Sequence, residues 1–291
     1  MFEGVYPALI TPFKDNQTRE VDLEGLSSNI EFLISKGVHG IVPCGSTGES
    51  ATLTFEEHEE VTSKAIDTAN GRVPVLAGTG SNNTTEAVRF TKAAKDQGAD
   101  GVLVLSPYYN KPSRSGLVKH YNMLADLDIP VVVYNVPGRT GQNLPADLVI
   151  ELAGHPNIVG VKEASGDLSQ MSEIIEGTID MDFDLISGDD MLTLPLLSIG
   201  GTGVISVAAN VEPARMVSIY EKFRAGDLDG ARKAHFELSP LFRGMFIETN
   251  PIPVKKAVGL RGMAAGPLRL PLDELDEAKV NSLKEVLKLY D

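Results

Sequence analysis

The sequence predicts an α/β protein built as a (β/α)8 TIM barrel with a C-terminal helical appendage. Three observations carry that expectation: eight short apolar runs, helical stretches between them, and the end of the strand pattern near residue 225. The runs are Val5–Ile10, Ile41–Pro43, Val75–Ala77, Val102–Leu105, Val131–Tyr134, Val159–Val161, Phe183–Ser187 and Val204–Ser206. They recur at intervals of roughly 18–35 residues, as buried parallel strands joined by crossover helices require. Gly or Pro opens or closes most of them, and Pro7 makes the first the least regular. An open doubly wound sheet usually has fewer strands and a dinucleotide fingerprint, whereas Gly78-Thr79-Gly80-Ser81-Asn82-Asn83 lacks the third glycine of one.

Between the runs, Asp22–Lys36, Phe55–Asn70 and Thr84–Gln97 have helical periodicity and stop at Gly37, Gly71 and Gly98, as helix C-termini do. Beyond residue 225 the segments Asp229–Glu248, Pro251–Leu260 and Asp273–Tyr290 read as helices, with the Gly/Pro-rich stretch Gly262–Pro271 between the last two. The expected division is a catalytic barrel over 1–225 and a helical segment over 226–291 packed on it.

Lys and Arg number 26 against 40 Asp and Glu, a net charge of −14 that repels phosphate backbones and anionic membranes. Nucleic acid and membrane are therefore not expected partners. Cys44 stands alone and so closes no internal disulfide, which fits a reducing cytoplasm, and its apolar neighbours suggest a core filler. His39, His58, His120, His155 and His235 include no close pair at metal-ligand spacing. Asp180, Asp182 and Asp184 start like a calcium loop, but Leu185 stands where the turn glycine must be. Asp189-Asp190 reads as a helix N-cap rather than a metal site, and Glu56, Glu57, Glu59 and Glu60 as a solvated helix face. No apolar stretch approaches the roughly 18 residues of a membrane span, and no secretory leader pattern opens the chain. No metal and no cofactor is expected.

Barrel enzymes build their sites where the strands end. The residues there are Thr11, Gly45-Ser46-Thr47-Gly48-Glu49, Gly78-Thr79-Gly80, Ser106-Pro107-Tyr108-Tyr109-Asn110, Tyr134 through Arg139, Lys162-Glu163, Gly188-Asp189-Asp190 and Ser206. Lys162 ends the run Val159-Gly160-Val161, which puts an amine at the barrel mouth. Desolvation there favours the neutral, nucleophilic form that makes an imine with a carbonyl, although a snorkelling lysine is the competing reading. Tyr134 at the end of its own run is either a proton relay or a structural aromatic. Ser46 and Thr47 between glycines offer hydroxyls and close-approach amides to a carboxylate, and the planar fork of Arg139 suits another.

Several segments match in order: Gly45-Ser46-Thr47-Gly48-Glu49-Ser50, Pro107-Tyr108-Tyr109-Asn110-Lys111-Pro112, Tyr134-Asn135-Val136-Pro137-Gly138-Arg139-Thr140-Gly141, Val161-Lys162-Glu163-Ala164 and Ser187-Gly188-Asp189-Asp190. Together they resemble the dihydrodipicolinate synthase family, within the pyruvate-dependent class I aldolases and lyases, over essentially the whole chain. The resemblance implies condensation of pyruvate with L-aspartate 4-semialdehyde to 4-hydroxy-tetrahydrodipicolinate, a step of lysine (diaminopimelate) biosynthesis. It implies that Lys162 forms the Schiff base and that Ser46, Tyr134 and Tyr109 relay protons, Tyr109 into a neighbouring subunit's site. Thr47 would hold the pyruvate carboxylate together with Ser46, Gly188 and Ile205 would line the pyruvate pocket, and Arg139 would bind the semialdehyde carboxylate.

The family usually forms homotetramers, dimers of dimers. Many members are inhibited by lysine at positions matching Ser50, Ala51, His58, Asn82, Glu86 and Tyr108, and Phe55 stands where sensitive bacterial members carry His, removing a polar contact. Ser46 departs from the usual Thr and is common in sugar-acid lyases, which keeps another pyruvate-dependent lyase as the alternative; Arg139 and Tyr108-Tyr109-Asn110 favour the synthase.

Overall fold

Seven parallel strands curl side by side in the order β1-β7-β6-β5-β4-β3-β2. They are β1 (Gly4–Pro7), β2 (Leu76–Gly78), β3 (Gly101–Leu105), β4 (Val131–Asn135), β5 (Ile158–Glu163), β6 (Asp184–Ser187) and β7 (Gly203–Ser206). The computed structural model describes all 291 residues. Segment 41–43 lies between the two edge strands as the eighth stave. Val42 N–H donates to the Pro7 carbonyl (3.0 Å), Leu9 N–H to that of Val42 (2.9 Å), and Leu76 and Gly78 N–H to those of Ile41 (3.0 Å) and Pro43 (2.9 Å). The run read there is a pair of bridges, Ala8 with Val42 and Ile41 with Val75, rather than a regular strand. Pro43 has no N–H to donate toward β2, and Cys44 leaves the extended region at φ 55°.

The helices follow in order: α1 (Leu23–Ser35), α2 (Phe55–Ala69), α3 (Thr84–Gln97), α4 (Arg114–Ala125), the single turn α5 (Pro137–Thr140), α6 (Ala146–Ala153), α7 (Leu168–Thr178), α8 (Thr193–Ser198) and α9 (Pro213–Arg224). Local chemistry sets the ends of the first three. Asp22 caps α1 by accepting from Gly25 N–H at 2.9 Å, Thr54 and Glu57 form a reciprocal capping box on α2, and Gly98 ends α3 in the left-handed region at φ 93°. No helix is long and apolar enough to cross a membrane.

Strand alternation sorts the core into two faces. Tyr6, Ala8, Val42, Leu76, Leu103, Val132, Tyr134, Ile186 and Ile205 fill the barrel interior, while Val102, Val104, Val131, Val133, Val161 and Leu185 pack outward against the helices. Register places Tyr134 beside Lys162 and Asn135 beside Glu163.

The C-terminal helices α10 (Leu228–Gly244), α11 (Ile252–Leu260) and α12 (Glu277–Leu287) bury Leu238, Phe242, Val254 and Leu283 in one cluster with Val5 and Val204 of the barrel. The last begins later than the periodicity suggests because Asp276 caps it, accepting from Lys279 N–H at 2.8 Å. A buried ion pair fastens this region to the second strand-end loop: Lys255 Nζ donates to Glu49 Oε1 at 2.6 Å, and Arg269 N–H to Glu49 Oε2 at 3.1 Å. The ammonium of Lys255 also lies 3.9 Å from the centre of the Phe13 ring. Glu57, read as part of a solvated face, grips the Arg269 guanidinium with both oxygens at 2.6 Å, and Glu59, half-buried, accepts from Arg89 Nε at 2.8 Å, so only Glu56 and Glu60 stay on an exposed face.

Candidate active site

At the C-terminal mouth of the barrel is a cavity of about 150 Å³ whose wall includes Ser46, Thr47, Tyr134, Arg139, Lys162, Gly188 and Asn250. Lys162 is the last residue but one of β5 and points inward beside Tyr134, its Nζ 4.0 Å from the centre of that ring. Only 6% of the lysine is exposed. Burial pushes its amine down to about 7; the Asp190 carboxylate opposes that shift and the Arg139 cation adds to it. Its close fit explains Gly188, where a Cβ would meet the Ala164 Cβ at 2.6 Å and the Lys162 Cε at 3.0 Å. Burial pushes the Tyr134 phenol up to about 12, with Arg139 opposing and Glu163 adding. The phenol therefore holds its proton at neutral pH.

Ser46 and Thr47 sit on a 3₁₀ turn, Ser46–Gly48, that follows the eighth stave. Thr11 Oγ1 donates to the Gly48 carbonyl at 2.7 Å and so fixes the turn against the first strand-end loop. The Thr47 hydroxyl accepts from Asn250 Nδ2 at 3.0 Å, which leaves its own O–H to donate into the cavity. Arg139 reaches the cavity from α5 and donates to the Asn250 carbonyl at 2.6 Å. Asn250 thus joins the hydroxyl turn to the guanidinium. The strand-end reading missed it because it arrives from beyond the barrel.

Two other residues lie elsewhere than the cavity wall. Ile205 is buried in the barrel interior with Tyr134 and Ile186 and is not part of the wall, whereas Val207, just past the strand where the backbone has turned helical at φ −82° and ψ −45°, is. Tyr109 is 88% exposed, with φ 71°, and points away from this chain's cavity. Asp189 caps the turn that follows it, accepting from Met191 N–H at 2.8 Å, as read from the sequence. Its neighbour Asp190 turns inward and accepts from Val207 and Ala208 N–H at 3.1 and 2.9 Å. Burial pushes its carboxyl up to about 6.

A second groove of about 380 Å³ adjoins the first and shares Ser46, Arg139 and Asn250 with it. Ser50, Ala51, His58, Glu86 and Tyr108 line it; Asn82 does not, and its carbonyl accepts from Asn110 Nδ2 at 2.8 Å. His58 stacks on Phe90 at 4.0 Å between ring centres, and burial pushes its imidazole down to about 4, so it is neutral. The Glu86 carboxylate accepts from Ser81 Oγ at 2.8 Å and Asn83 Nδ2 at 3.2 Å. Phe55 packs edge-on against Phe90.

Comparison with known proteins gives a consistent result. Residues 1–290 match the model of the dihydrodipicolinate synthetase family. A 4-hydroxy-tetrahydrodipicolinate synthase of Methanoculleus marisnigri is 71% identical over 287 residues, covering 99% of each chain. One of Methanospirillum hungatei is 69% identical over the full length of both. Among solved structures, dihydrodipicolinate synthase from Aquifex aeolicus superposes with a TM-score of 0.96 at 47% identity, over 99% of this chain and 98% of that one. The enzyme from Cyanidioschyzon merolae with lysine bound gives 0.95 at 42%, over the same shares.

Proposed function

Because the chain belongs to the dihydrodipicolinate synthetase family, we propose that it condenses pyruvate with L-aspartate 4-semialdehyde to 4-hydroxy-tetrahydrodipicolinate, as a lyase of lysine (diaminopimelate) biosynthesis. The observation that carries the mechanism is Lys162, an amine buried at a strand end and held down to about 7 by that burial. At neutral pH a large share of it is unprotonated and able to attack the pyruvate ketone. Loss of water gives an imine, and its methyl group then gives up a proton to form an enamine. The enamine carbon adds to the semialdehyde carbonyl. The amino group of the condensed product then attacks the imine carbon, releasing Lys162 and closing the ring.

In this reading Thr47 and Ser46 hold the pyruvate carboxylate, with Gly188 and, in the barrel interior behind the wall, Ile205 completing the pocket. Tyr134, which keeps its proton, passes it through Ser46, and Arg139 takes the carboxylate of the second substrate. Tyr109, exposed on the single chain, is the residue that would extend the relay into a neighbouring copy, and a homotetramer built as a dimer of dimers is the assembly proposed. The lone, buried Cys44 suits a cytoplasmic setting.

The test is incubation with pyruvate, reduction with borohydride and peptide mapping by mass. The expected adduct is on Lys162, and its absence, or an adduct on another lysine, sinks the mechanism. Arg139→Ala is expected to leave the adduct yield unchanged and raise the KM for the semialdehyde by about tenfold or more, the cost of one charge-assisted hydrogen bond. Equal loss of both contradicts the role given to Arg139.

The second groove is proposed as a lysine site, since the Glu86 carboxylate and the neutral His58 offer an anion and a neutral acceptor to an amino acid. Its walls continue into Ser46 and Arg139, so an occupant would touch the machinery directly. Millimolar lysine is expected to slow turnover, and an unchanged rate removes the groove from this role.

A further inference from the structure

The residue after each inward-facing partner in the Tyr134/Lys162 pair points the other way, and the two outward residues meet. Asn135 Nδ2 donates to both oxygens of Glu163, at 3.1 and 2.9 Å. Gln170 Nε2 from α7 adds 3.0 Å and Ser165 N–H adds 2.6 Å. Glu163 is fully buried, and its carboxylate is held by these neutral donors and by no ion pair. All of its partners are donors, so the group this pocket is shaped for is an acceptor on both oxygens. A protonated carboxyl, or an amide, would turn a donor against a donor.

That demand fixes the orientation of Asn135. Its nitrogen must face Glu163, so its Oδ1 faces the other way and accepts from Leu144 N–H at 3.0 Å, while Nδ2 also reaches Asn143 Oδ1 at 2.8 Å. Asn143 Nδ2 in turn donates to Gln170 Oε1 at 2.7 Å. Asn135 and residues 143–144 are the two ends of the loop that carries Arg139, and the Asn135 side chain closes it like a clasp. The active-site lysine and the guanidinium are thereby tied to one buried anion, the residue directly after Lys162 in β5.

We propose that Glu163, acting through Asn135, is a positioning residue that holds the Arg139 loop in register with Lys162 for the second substrate. The proposal rests on the reading of Arg139 as the semialdehyde ligand. It assigns Glu163 no contact with either substrate and no part in imine formation.

The test is Glu163→Gln in the full-length protein, with steady-state kinetics for both substrates and borohydride trapping of pyruvate. The expected result is a semialdehyde KM raised by about tenfold or more, with the pyruvate KM within about twofold and the Lys162 adduct retained. The double variant Glu163→Gln/Gln170→Glu puts a carboxylate back into the cluster and is expected to move the semialdehyde KM back toward wild type. Gln170→Ala removes one donor at the edge of the cluster and supplies a folded variant if Glu163→Gln does not fold; its semialdehyde KM should rise selectively as well. An unchanged semialdehyde KM in a folded variant overturns the proposal. So does loss of the adduct together with an equal rise in the KM of both substrates, which is what a purely structural role gives. Failure of the underlying reading is a separate outcome, visible as an Arg139→Ala variant whose semialdehyde KM is unchanged.

Discussion

Lys162→Met is expected to abolish the borohydride-trapped adduct and to lower turnover by at least about 10³-fold, because a nucleophile that carries every later step has no substitute in the cavity. The same variant should be more stable than the parent in neutral and acidic solution. The folded protein holds this amine at about 7 against its ordinary 10.5, so between those values the unfolded chain binds more protons than the folded one. Stability of the parent therefore rises with pH across that window. The burden of a buried ammonium is full below pH 7 and gone above about 10.5. Methionine removes it, so the gain in unfolding free energy, read by urea titration, should be a few kcal/mol at pH 6 and vanish in strong base. A variant less stable than the parent at pH 6 contradicts a desolvated amine. In the parent, the rate of imine trapping should climb with pH and level off above about 7.

Lys255→Met carries the largest expected loss of stability. It leaves the Glu49 carboxylate, fully buried, with one backbone N–H and no cation, at a cost of about 3–5 kcal/mol by urea unfolding. Glu49→Gln/Lys255→Met should recover most of that, since removing both charges removes the uncompensated one. Glu49 is also the left-handed joint, φ 53°, between the 3₁₀ turns Ser46–Gly48 and Ser50–Thr52. The single variant should therefore weaken pyruvate binding as well. A stability change under about 1 kcal/mol would show that the pair is not desolvated as its burial indicates.

Much of the fold was legible because each stave is a short apolar run and each early helix carries its own stop signal. Asp22, Thr54 and Gly98 set the helix ends within a residue of where periodicity puts them. The stave at 41–43 was legible as an apolar run but not as bridges, since the loss of one N–H at Pro43 is decided by which neighbour it would face. Lys162, Tyr134 and Thr47 could be read as strand-end residues one at a time. Asn250 could not, because nothing local marks a residue from the C-terminal region as the link between a hydroxyl and a guanidinium. Glu163 stood in plain view beside Lys162, yet its side-chain partners Asn135 and Gln170 come from two other segments, and only register and packing bring them together.

The Glu49–Lys255 pair also has a consequence for synthesis. Its members are 206 residues apart, so on a ribosome adding about 5–20 residues per second the glutamate waits roughly 10–40 s for its lysine to be made. During that interval the carboxylate is best left in water, and the turn that holds Ser46 and Thr47 has no reason to settle. The strands can collect in the order they are made, but the hydroxyl cradle is finished only after α11 has left the exit tunnel. A nascent chain stalled before that point would hold a lysine at the barrel mouth and no finished place for a keto acid to bind.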